Sequence, residues 1–292
     1  MDAAHEPGCD LRHTPRQRCN ANALGRPASE WPAAPAHRGR TDEPPAPATA
    51  VTVEFLGSGD AFGSGGRFQA CLLLRTPDGS LLIDCGATSL VAMKRAGVDP
   101  SEIGVVLVSH LHGDHFGGLP FLILDGQFSG RRHPLVIAGP PGLRERLTRA
   151  MEVLFPGSST AVRRFPVEVV QLAPRVSARL NPVTVTAFEV IHASGDPAFA
   201  LRVEYGERVV AYSGDTAWTD ALIDAANGSD LFVCEAYFAE KRVRYHLDYA
   251  TLKEHAPRLG CKRIILTHMS ADMLGRSEVA FERAEDGTVI RV

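Results

Sequence analysis

Residues Ser109–His115 read Ser-His-Leu-His-Gly-Asp-His and follow directly on the apolar run Val105–Val108. Three imidazoles and one carboxylate therefore fall within six positions, immediately after a predicted strand. Gly113 lets the chain curl after that strand, so that side chains before and after the turn can converge. The stretch predicts a loop at a strand end that gathers polar side chains at one edge of a sheet.

Neutral imidazole and carboxylate are the ligand types of zinc and similar divalent metals. His110 and His112 can leave the strand end on one side, while Asp114 and His115 follow the turn and can face a second point. The alternative is a polar loop with solvated histidines. The chain has only 11 His in 292 residues, so their clustering at this spacing favours a metal site.

Three further predicted strands end in a residue that can bind metal. These residues are His192, Asp215 and His268. Each of them has a simpler explanation when taken alone, since a histidine can be packed in a core and an aspartate can cap a helix. Their shared position after an apolar strand indicates that they meet the first loop at one sheet edge.

The order of elements predicts one folded domain over residues 50–292. From Val51 onward predicted strands alternate with predicted helices, one of them over His115–Gln127. Two β-rich halves with interspersed helices favour two sheets packed face to face with helices outside. Residues 1–49 contain 8 of the 20 prolines and no periodic apolar pattern. They predict either a disordered Pro-, Ala- and Arg-rich extension or translation from an upstream start codon.

Composition sets limits on location and partners. The formal charge of −3 belongs to residues 50–292, which argues against a broad nucleic-acid footprint. No apolar run approaches the roughly 20 residues that span a bilayer, and the N-terminus lacks the apolar core of a signal peptide. The six cysteines include no Cys-x-x-Cys pair, which favours buried thiols in a reducing compartment. We therefore expect a cytoplasmic protein with no membrane partner.

The chain resembles the metallo-β-lactamase fold superfamily, whose His-x-His-x-Asp-His signature is matched by residues 110–115. The resemblance implies an α/β (α+β) fold, a four-layer αββα sandwich with a binuclear metal site at one edge. It implies that one metal is bound by His110, His112 and His192 and the other by Asp114, His115 and His268, with Asp215 bridging. The buried aspartate beside the metal loop in this superfamily is matched by Asp84, for which a turn residue before Gly86 is the alternative.

Within the superfamily the chain is most similar to the ribonuclease Z-like phosphodiesterase group. The segments Phe55–Gly59 and Tyr212–Thr216 resemble two of its motifs, and Glu235 stands where that group often has a glutamate. His246 matches a histidine that lies near the scissile phosphate and aids the leaving group, although it could be an ordinary residue before a helix. The resemblance thus implies catalytic roles for His246, Asp114 and Asp215.

Residues 131–180 contain nine Arg, no Lys and three Glu, in a chain that is net acidic. Two adjacent pairs, Arg131-Arg132 and Arg163-Arg164, stand out, and guanidinium groups bind phosphate in a fixed fork. The alternative is a solvated surface. If the interpretation holds, these arginines support a phosphate-containing substrate.

Two departures from ribonuclease Z argue against transfer RNA as the substrate. The long Gly/Pro-rich arm of ribonuclease Z is absent, since the corresponding stretch Pro140–Arg164 is short and helix-like. The Arg-Tyr pair expected soon after the last His-x-Ser is replaced by Ala271-Asp272-Met273. A small nucleotide-like or cyclic phosphodiester therefore fits better, with nucleic acid less favoured.

The expected enzyme is a binuclear metal-dependent phosphodiesterase. Two divalent ions, expected to be zinc with manganese or iron as alternatives, would lower the pKa of a bridging water so that hydroxide attacks the phosphodiester. The alternatives are a ribonuclease Z-like RNA endonuclease, a lactone or thioester hydrolase, and a non-catalytic metal-binding accessory protein. Dimers are common in the resembled group. The sequence leaves both a monomer and a homodimer open.

Overall fold

The computed structural model describes residues 51–195 and 197–292, and the predicted extension over residues 1–49 lies outside them. Two sheets of seven strands each form the centre of the described part. The first sheet has the order β14-β1-β2-β3-β4-β5-β6. Its strands are β1 (Thr52–Gly57), β2 (Cys71–Thr76), β3 (Gly79–Ile83), β4 (Ile103–Leu107), β5 (Leu135–Gly139), β6 (Val167–Gln171) and β14 (Val289–Arg291).

The second sheet has the order β13-β12-β11-β10-β9-β8-β7. Its strands are β7 (Ser177–Leu180), β8 (Val183–Val190), β9 (Ala198–Tyr205), β10 (Arg208–Tyr212), β11 (Leu231–Glu235), β12 (Ile264–Thr267) and β13 (Glu282–Arg283). Strands β3 to β6 run parallel, as do β10 to β13, while the remaining pairs are antiparallel. In each sheet, several strands therefore end at the same edge.

Seven α-helices lie on the outer faces of the two sheets in the described part of the chain. Their bounds are α1 (Ser89–Arg95), α2 (Gly113–Phe116), α3 (Leu119–Ser129), α4 (Leu143–Leu154), α5 (Ala221–Ala226), α6 (Tyr249–His255) and α7 (Ala271–Leu274). Within the described residues, no helix combines the length and the apolar character needed to cross a bilayer.

Three apolar clusters define the layers. The central cluster lies between the sheets and includes Phe55 of β1 and Phe199 of β9. A second cluster joins the outer face of the first sheet to α1, α3 and α4, and a third joins the outer face of the second sheet to α5, α6 and α7. The alternation of side chains along each strand thus buries both faces of both sheets. The predicted four-layer αββα sandwich is confirmed.

The structure corrects several predicted elements. The predicted helix over His115–Gln127 is two helices, α2 and α3, because Gly117 and Gly118 interrupt it. Strands β7, β13 and β14 were not predicted, since they are short pieces at the sheet ends. The predicted buried thiols are present: Cys71, Cys85 and Cys234 are buried and unpaired.

The two sheets are joined directly at the edge where the parallel strands end. The backbone NH of His268, after β12, donates to the carbonyl of Ser58, after β1, at 3.1 Å. The NH of Phe199 in β9 donates to the carbonyl of Ser109, after β4, at 2.9 Å. A Cβ on Gly214 would lie 2.8 Å from the Phe199 carbonyl oxygen, and Gly214 has φ +57°. Only glycine satisfies both constraints at this junction.

Arg131 is a buried structural residue and not the phosphate ligand that the sequence suggested. Its guanidinium donates to the carbonyls of His133, Pro100, Ile103 and Pro134, at 2.6–3.2 Å. These bonds fix the loop before β5 against the beginning of β4. They lie at the sheet edge opposite the predicted metal ligands, because β4 and β5 are parallel.

We expect Arg131→Met to destabilise the protein by about 2–4 kcal/mol, because it leaves several buried carbonyl oxygens without a donor. Urea unfolding monitored by circular dichroism measures this difference. The matched control is Arg132→Met, since Arg132 is exposed. Equal unfolding free energies for the two variants would contradict the structural role of Arg131.

Candidate metal centre

The seven predicted ligands come from the segments that follow β4, β8, β10 and β12, with Asp114 and His115 in α2, and the structure brings all seven together. One group consists of His110, His112 and His192. The other consists of Asp114, His115, Asp215 and His268. In each group the potential ligand atoms lie within 4.8 Å of one another. This is the division into two sites that the resemblance implied, and the assignment of ligands stays a prediction.

Hydrogen bonds fix which nitrogen of each histidine in the first group lacks a proton. His112 Nε2 donates to the carbonyl of Ala193 at 3.1 Å, and His192 Nδ1 donates to the carbonyl of Tyr245 at 2.8 Å. The remaining nitrogens, His112 Nδ1 and His192 Nε2, are 3.1 Å apart. In the neutral rings both carry lone pairs, which repel each other unless a cation lies between or beside them.

His110 completes the first group. Its Nδ1 lies 3.1 Å from Ser109 Oγ, which donates its own proton to Asp84 and so accepts from the imidazole. The buried Nε2 of His110 has no hydrogen-bond partner. Burial lowers the pKa of His110 well below its ordinary value, and burial also lowers the pKa of His192. Both rings therefore stay neutral, which is the form that binds metal.

In the second group, two imidazoles face two carboxylates. His115 Nε2 and His268 Nε2 both lie 3.2 Å from Asp114 Oδ2. They lie 3.4 Å and 3.3 Å from the two oxygens of Asp215. Asp215 is also 3.8 Å from His110 Nε2, so its carboxylate lies between the two groups. This position suits the bridging role that the resemblance implied.

Asp84 orients the metal loop from behind. It is fully buried and follows β3 with φ +59°. One oxygen accepts from the backbone NH of Ser109 at 2.8 Å, and the other accepts from Ser109 Oγ at 2.8 Å and from His115 Nδ1 at 2.7 Å. His115 Nε2 is thereby turned toward the second group. Of the two roles considered for Asp84, the structure favours orientation of a ligand over a simple turn.

The electrostatics of the centre favour cations. Burial would lower the pKa of His115, but the charges of Asp215, Asp114 and Asp84 outweigh it and raise that pKa well above its ordinary value. Burial would also lower the pKa of His268, but the charge of Asp215 and the hydrogen bond to Asp114 outweigh it and raise that pKa to about 9. A site that draws protons onto buried imidazoles stabilises positive charge, and a divalent ion supplies that charge while displacing the protons.

The donor set therefore fits a pair of divalent ions. Buried ligand atoms without hydrogen-bond partners include His110 Nε2, His115 Nε2 and Asp215 Oδ1. Buried polar atoms are rarely left unpaired without a reason, and all three face their neighbours in the two groups. Nitrogen and carboxylate donors without sulfur are compatible with zinc, manganese or iron.

His246 lies beside the two groups and is held by Glu235. Its Nδ1 donates to Glu235 Oε2 at 3.0 Å, so Nε2 is the nitrogen left for a substrate. Burial would lower the pKa of His246, but the hydrogen bond and charge of Glu235 raise it above the ordinary value. Glu235 is fully buried at the end of β11 and also accepts from the backbone NH of Thr216. The sequence suggested Glu235 only by its position, and no local pattern signals its contact with His246.

A small cavity of about 210 Å³ opens over the metal groups. It is lined by Ala61, Phe62, His112, Asp114, Asp215, Tyr237, His246 and His268. His246 also lines a neighbouring cavity of about 380 Å³ with Trp218 and Arg242. His246 therefore lies between the two cavities, and Phe62 and Tyr237 contribute to the wall of the smaller one.

The arginines of residues 131–180 do not line the cavity over the metal groups. Besides Arg131, Arg163 is bound to the carbonyls of Ser158 and Ser159 at 2.9 and 3.2 Å. Arg175 pairs with Asp224 on α5. The prediction that the adjacent pairs provide a phosphate fork is therefore wrong for Arg131 and Arg163, since both guanidinium groups serve local backbone.

Comparison with known proteins places the chain in a family. The model of the family described as Anti-Pycsar protein Apyc1 matches residues 51–285. This match covers most of the chain, including all seven predicted ligands. The chain belongs to the Anti-Pycsar protein Apyc1 family.

This member of the Apyc1 family is also similar to proteins of the predicted superfamily. It is 27% identical to the ribonuclease Z of Agathobacter rectalis over 276 residues, 77% of this chain and 89% of that protein. The short form of human tRNase Z superposes with a TM-score of 0.67 at 27% identity, covering 82% of this chain and 98% of that one. The metallo-β-lactamase fold protein YhfI of Bacillus subtilis has a TM-score of 0.68 at 22% identity, covering 83% and 100%. The predicted metallo-β-lactamase fold and ribonuclease Z-like group are confirmed.

We expect Asp215→Ala to release bound metal, because its carboxylate lies between both groups of ligands. Metal content after dialysis, measured by plasma mass spectrometry, should fall from two ions per chain to one or none. Asp220→Ala is the control. Asp220 lies between β10 and α5, as Asp215 does, but its side chain is exposed and pairs with Arg258. Retention of both ions by the Asp215 variant would rule out a bridging role.

We expect Asp84→Ala to lower metal affinity by about 10- to 100-fold, because the tautomer and orientation of His115 are no longer fixed. Competition with a chelator of known affinity measures the change. Asp99→Ala serves as control, because Asp99 caps a turn before β4 at the opposite edge. Unchanged affinity in the Asp84 variant would mean that the loop holds its shape without this carboxylate.

Proposed function

We propose that this protein hydrolyses a small nucleotide-like or cyclic phosphodiester. Its enzyme class, a metal-dependent phosphodiesterase of the metallo-β-lactamase fold, agrees with the expectation from the sequence. The observation that carries the proposal is His246, held by Glu235 at the rim of a small cavity over two groups of metal-binding side chains. That arrangement supports a role for the His246 imidazole as proton donor to a phosphodiester bound at the two groups.

The size of the site supports a small substrate. The cavity of about 210 Å³ is below the roughly 300–1,000 Å³ of sites for drug-sized ligands, so it accommodates a phosphodiester group and little more. Residues between β5 and β6 form α4 and a turn, where ribonuclease Z was expected to carry its arm. Both features favour a small phosphodiester over transfer RNA.

The chain's own residues would divide the chemistry as follows. His110, His112 and His192 would hold one ion, and Asp114, His115 and His268 the other, with Asp215 between them. When bound, the two ions would activate water for attack at neutral pH and stabilise negative charge on the phosphoryl oxygens. His246 Nε2 would donate a proton to the departing oxygen or stabilise its charge, while Glu235 holds the ring through Nδ1.

Zinc is the metal that we propose, because neutral imidazoles with carboxylates suit it and the two groups contain no thiolate. Manganese and iron are the alternatives. We also propose a cytoplasmic location, since buried unpaired thiols such as Cys71 and Cys234 are typical of a reducing compartment. A homodimer stays a prediction.

The proposal is tested with bis(p-nitrophenyl) phosphate and protein loaded with zinc, manganese or iron. His246→Ala should lower kcat by about 10²- to 10⁴-fold with metal content unchanged, because it removes the proton donor and no predicted ligand. His133→Ala is the control, as His133 is exposed at the opposite edge.

Two outcomes would contradict the proposal. Loss of metal in the His246 variant would make this histidine a ligand, as its proximity to Asp215 and His192 permits. No turnover of phosphodiesters by metal-loaded wild-type protein, together with turnover of lactones or thioesters, would favour the alternative hydrolase. Metal binding without turnover of any of these substrates would favour the accessory protein.

A further inference from the structure

Tyr237 carries a phenol hydroxyl at the cavity over the metal groups. The residue follows β11 by two positions and lines that cavity together with Asp114, Asp215 and His246. Its side chain is half-buried. Within residues 51–195 and 197–292, its hydroxyl takes part in no hydrogen bond. A hydroxyl that is held at a cavity wall without a protein partner is available to a ligand.

The position of Tyr237 is fixed by its backbone and by its ring. Its NH donates to the carbonyl of Leu247 at 2.9 Å, and its carbonyl accepts from the NH of Ser270 at 2.9 Å. Its ring centroid lies 4.8 Å from that of His246 and 5.9 Å from that of His268. The phenol is therefore fixed against the proposed proton donor and a predicted metal ligand, and it is preorganised before any substrate binds.

The charged groups around the hydroxyl locate it at the cavity as well. Burial raises the pKa of Tyr237 above its ordinary value, and the charges of four carboxylates add to this effect, those of Asp60, Asp215, Glu235 and Asp114. Two of them, Asp114 and Asp215, line the same cavity. A phenol is protonated at neutral pH even without such neighbours, so Tyr237 offers the cavity a hydrogen-bond donor.

A phosphodiester bound at the metal groups presents two kinds of oxygen to these side chains. In the proposed mechanism His246 serves the departing oxygen, because Glu235 leaves its Nε2 free. The non-bridging oxygens carry negative charge throughout the reaction, and the transition state spreads charge over them. A donor that is fixed in advance at such an oxygen stabilises the transition state. A neutral phenol supplies this donor and transfers no proton.

We propose that Tyr237 is a catalytic residue whose hydroxyl donates a hydrogen bond to a non-bridging phosphoryl oxygen of the substrate. The inference rests on the proposed phosphodiesterase function and adds to it a residue that neither binds metal nor transfers a proton. The hydrogen bond strengthens as charge develops on the phosphoryl oxygen. Its loss therefore appears in kcat and not in KM.

The experiment compares Tyr237→Phe with wild-type protein loaded with the same metal. The change removes the hydroxyl and keeps the ring, so the packing against His246 and His268 is retained. We expect kcat for bis(p-nitrophenyl) phosphate to fall about 10- to 100-fold, the range of one hydrogen bond to a charged group, with KM and metal content unchanged. Tyr205→Phe is the control. It removes a hydroxyl that donates to Asp78 outside the cavity, and it should leave kcat unchanged.

A second substrate distinguishes the two kinds of oxygen. Diphenyl phosphate has the same non-bridging oxygens as bis(p-nitrophenyl) phosphate but a poorer leaving group. A contact with a non-bridging oxygen predicts that Tyr237→Phe loses the same factor in kcat on both substrates. His246→Ala should lose more on diphenyl phosphate, because a proton donor helps a poor leaving group most. If Tyr237→Phe also loses more on diphenyl phosphate, its hydroxyl serves the departing oxygen and the assignment is overturned.

The failure of this inference is distinguishable from failure of the proposed function. If wild-type protein hydrolyses phosphodiesters and Tyr237→Phe has the same kcat, the hydroxyl does not contact the reacting group. Loss of metal from Tyr237→Phe would make the hydroxyl a metal ligand instead. If metal-loaded wild-type protein hydrolyses no phosphodiester, the function itself is wrong and the role of Tyr237 fails with it.

Discussion

The metal centre depends on one buried carboxylate, that of Asp84. It accepts hydrogen bonds from Ser109 NH, Ser109 Oγ and His115 Nδ1, and so ties the end of β3 to the loop after β4. It fixes the tautomer of His115 directly and that of His110 through Ser109 Oγ. The carbonyl of Ser109 in turn accepts from Phe199 in the other sheet. The position of the metal loop is thus set by the same contacts that hold the two sheets together.

This arrangement concentrates negative charge where water is excluded. Asp84, Asp114, Asp215 and Glu235 are all buried close to one another. Burying several carboxylates is costly unless cations or hydrogen-bond donors surround them. Backbone NH groups and imidazoles supply part of this compensation, and two divalent ions would supply the rest. Binding of these ions would therefore be coupled to folding, because the unfolded chain has no such cluster.

The proximity of the seven candidate ligands could be predicted because they follow strands of strong apolar character, while their assignment to metal ions stays a prediction. Strand ends are readable from sequence, and residues that follow several strands can meet at one sheet edge. His110 and His268 follow parallel strands, whereas His192 follows the antiparallel strand β8, so its place at this edge depends on the tertiary fold. The left-handed backbone at His268, with φ +54°, and at Tyr245, with φ +72°, could not be read in this way. A positive φ is uncommon for any residue other than glycine, and tertiary contacts impose it here.

Other features of the site could not be predicted from the sequence because they depend on contacts between distant parts of the chain. The pairing of Glu235 with His246 joins a strand end to a loop, and nothing in the local pattern signals it. The prediction that the arginine pairs bind phosphate was wrong for Arg131 because charge alone does not identify the partner of a guanidinium group. Arg131 donates to backbone carbonyls instead of binding phosphate. Strand β13 has two residues and pairs with β12 at the end of its sheet, so it has too little pattern to detect.

The substrate side of the site is built differently from the metal side. The ligands follow strands whose register is fixed by the two sheets, whereas Phe62, Tyr237 and His246 lie on loops with their own internal bonds. Asp60 holds one loop, and the NH of Tyr237 donates to the carbonyl of Leu247 across the other at 2.9 Å. Such loops can change without moving a metal ligand. The entrance to the cavity can therefore differ among proteins of this fold while the strand ends that carry the seven candidate ligands keep their positions.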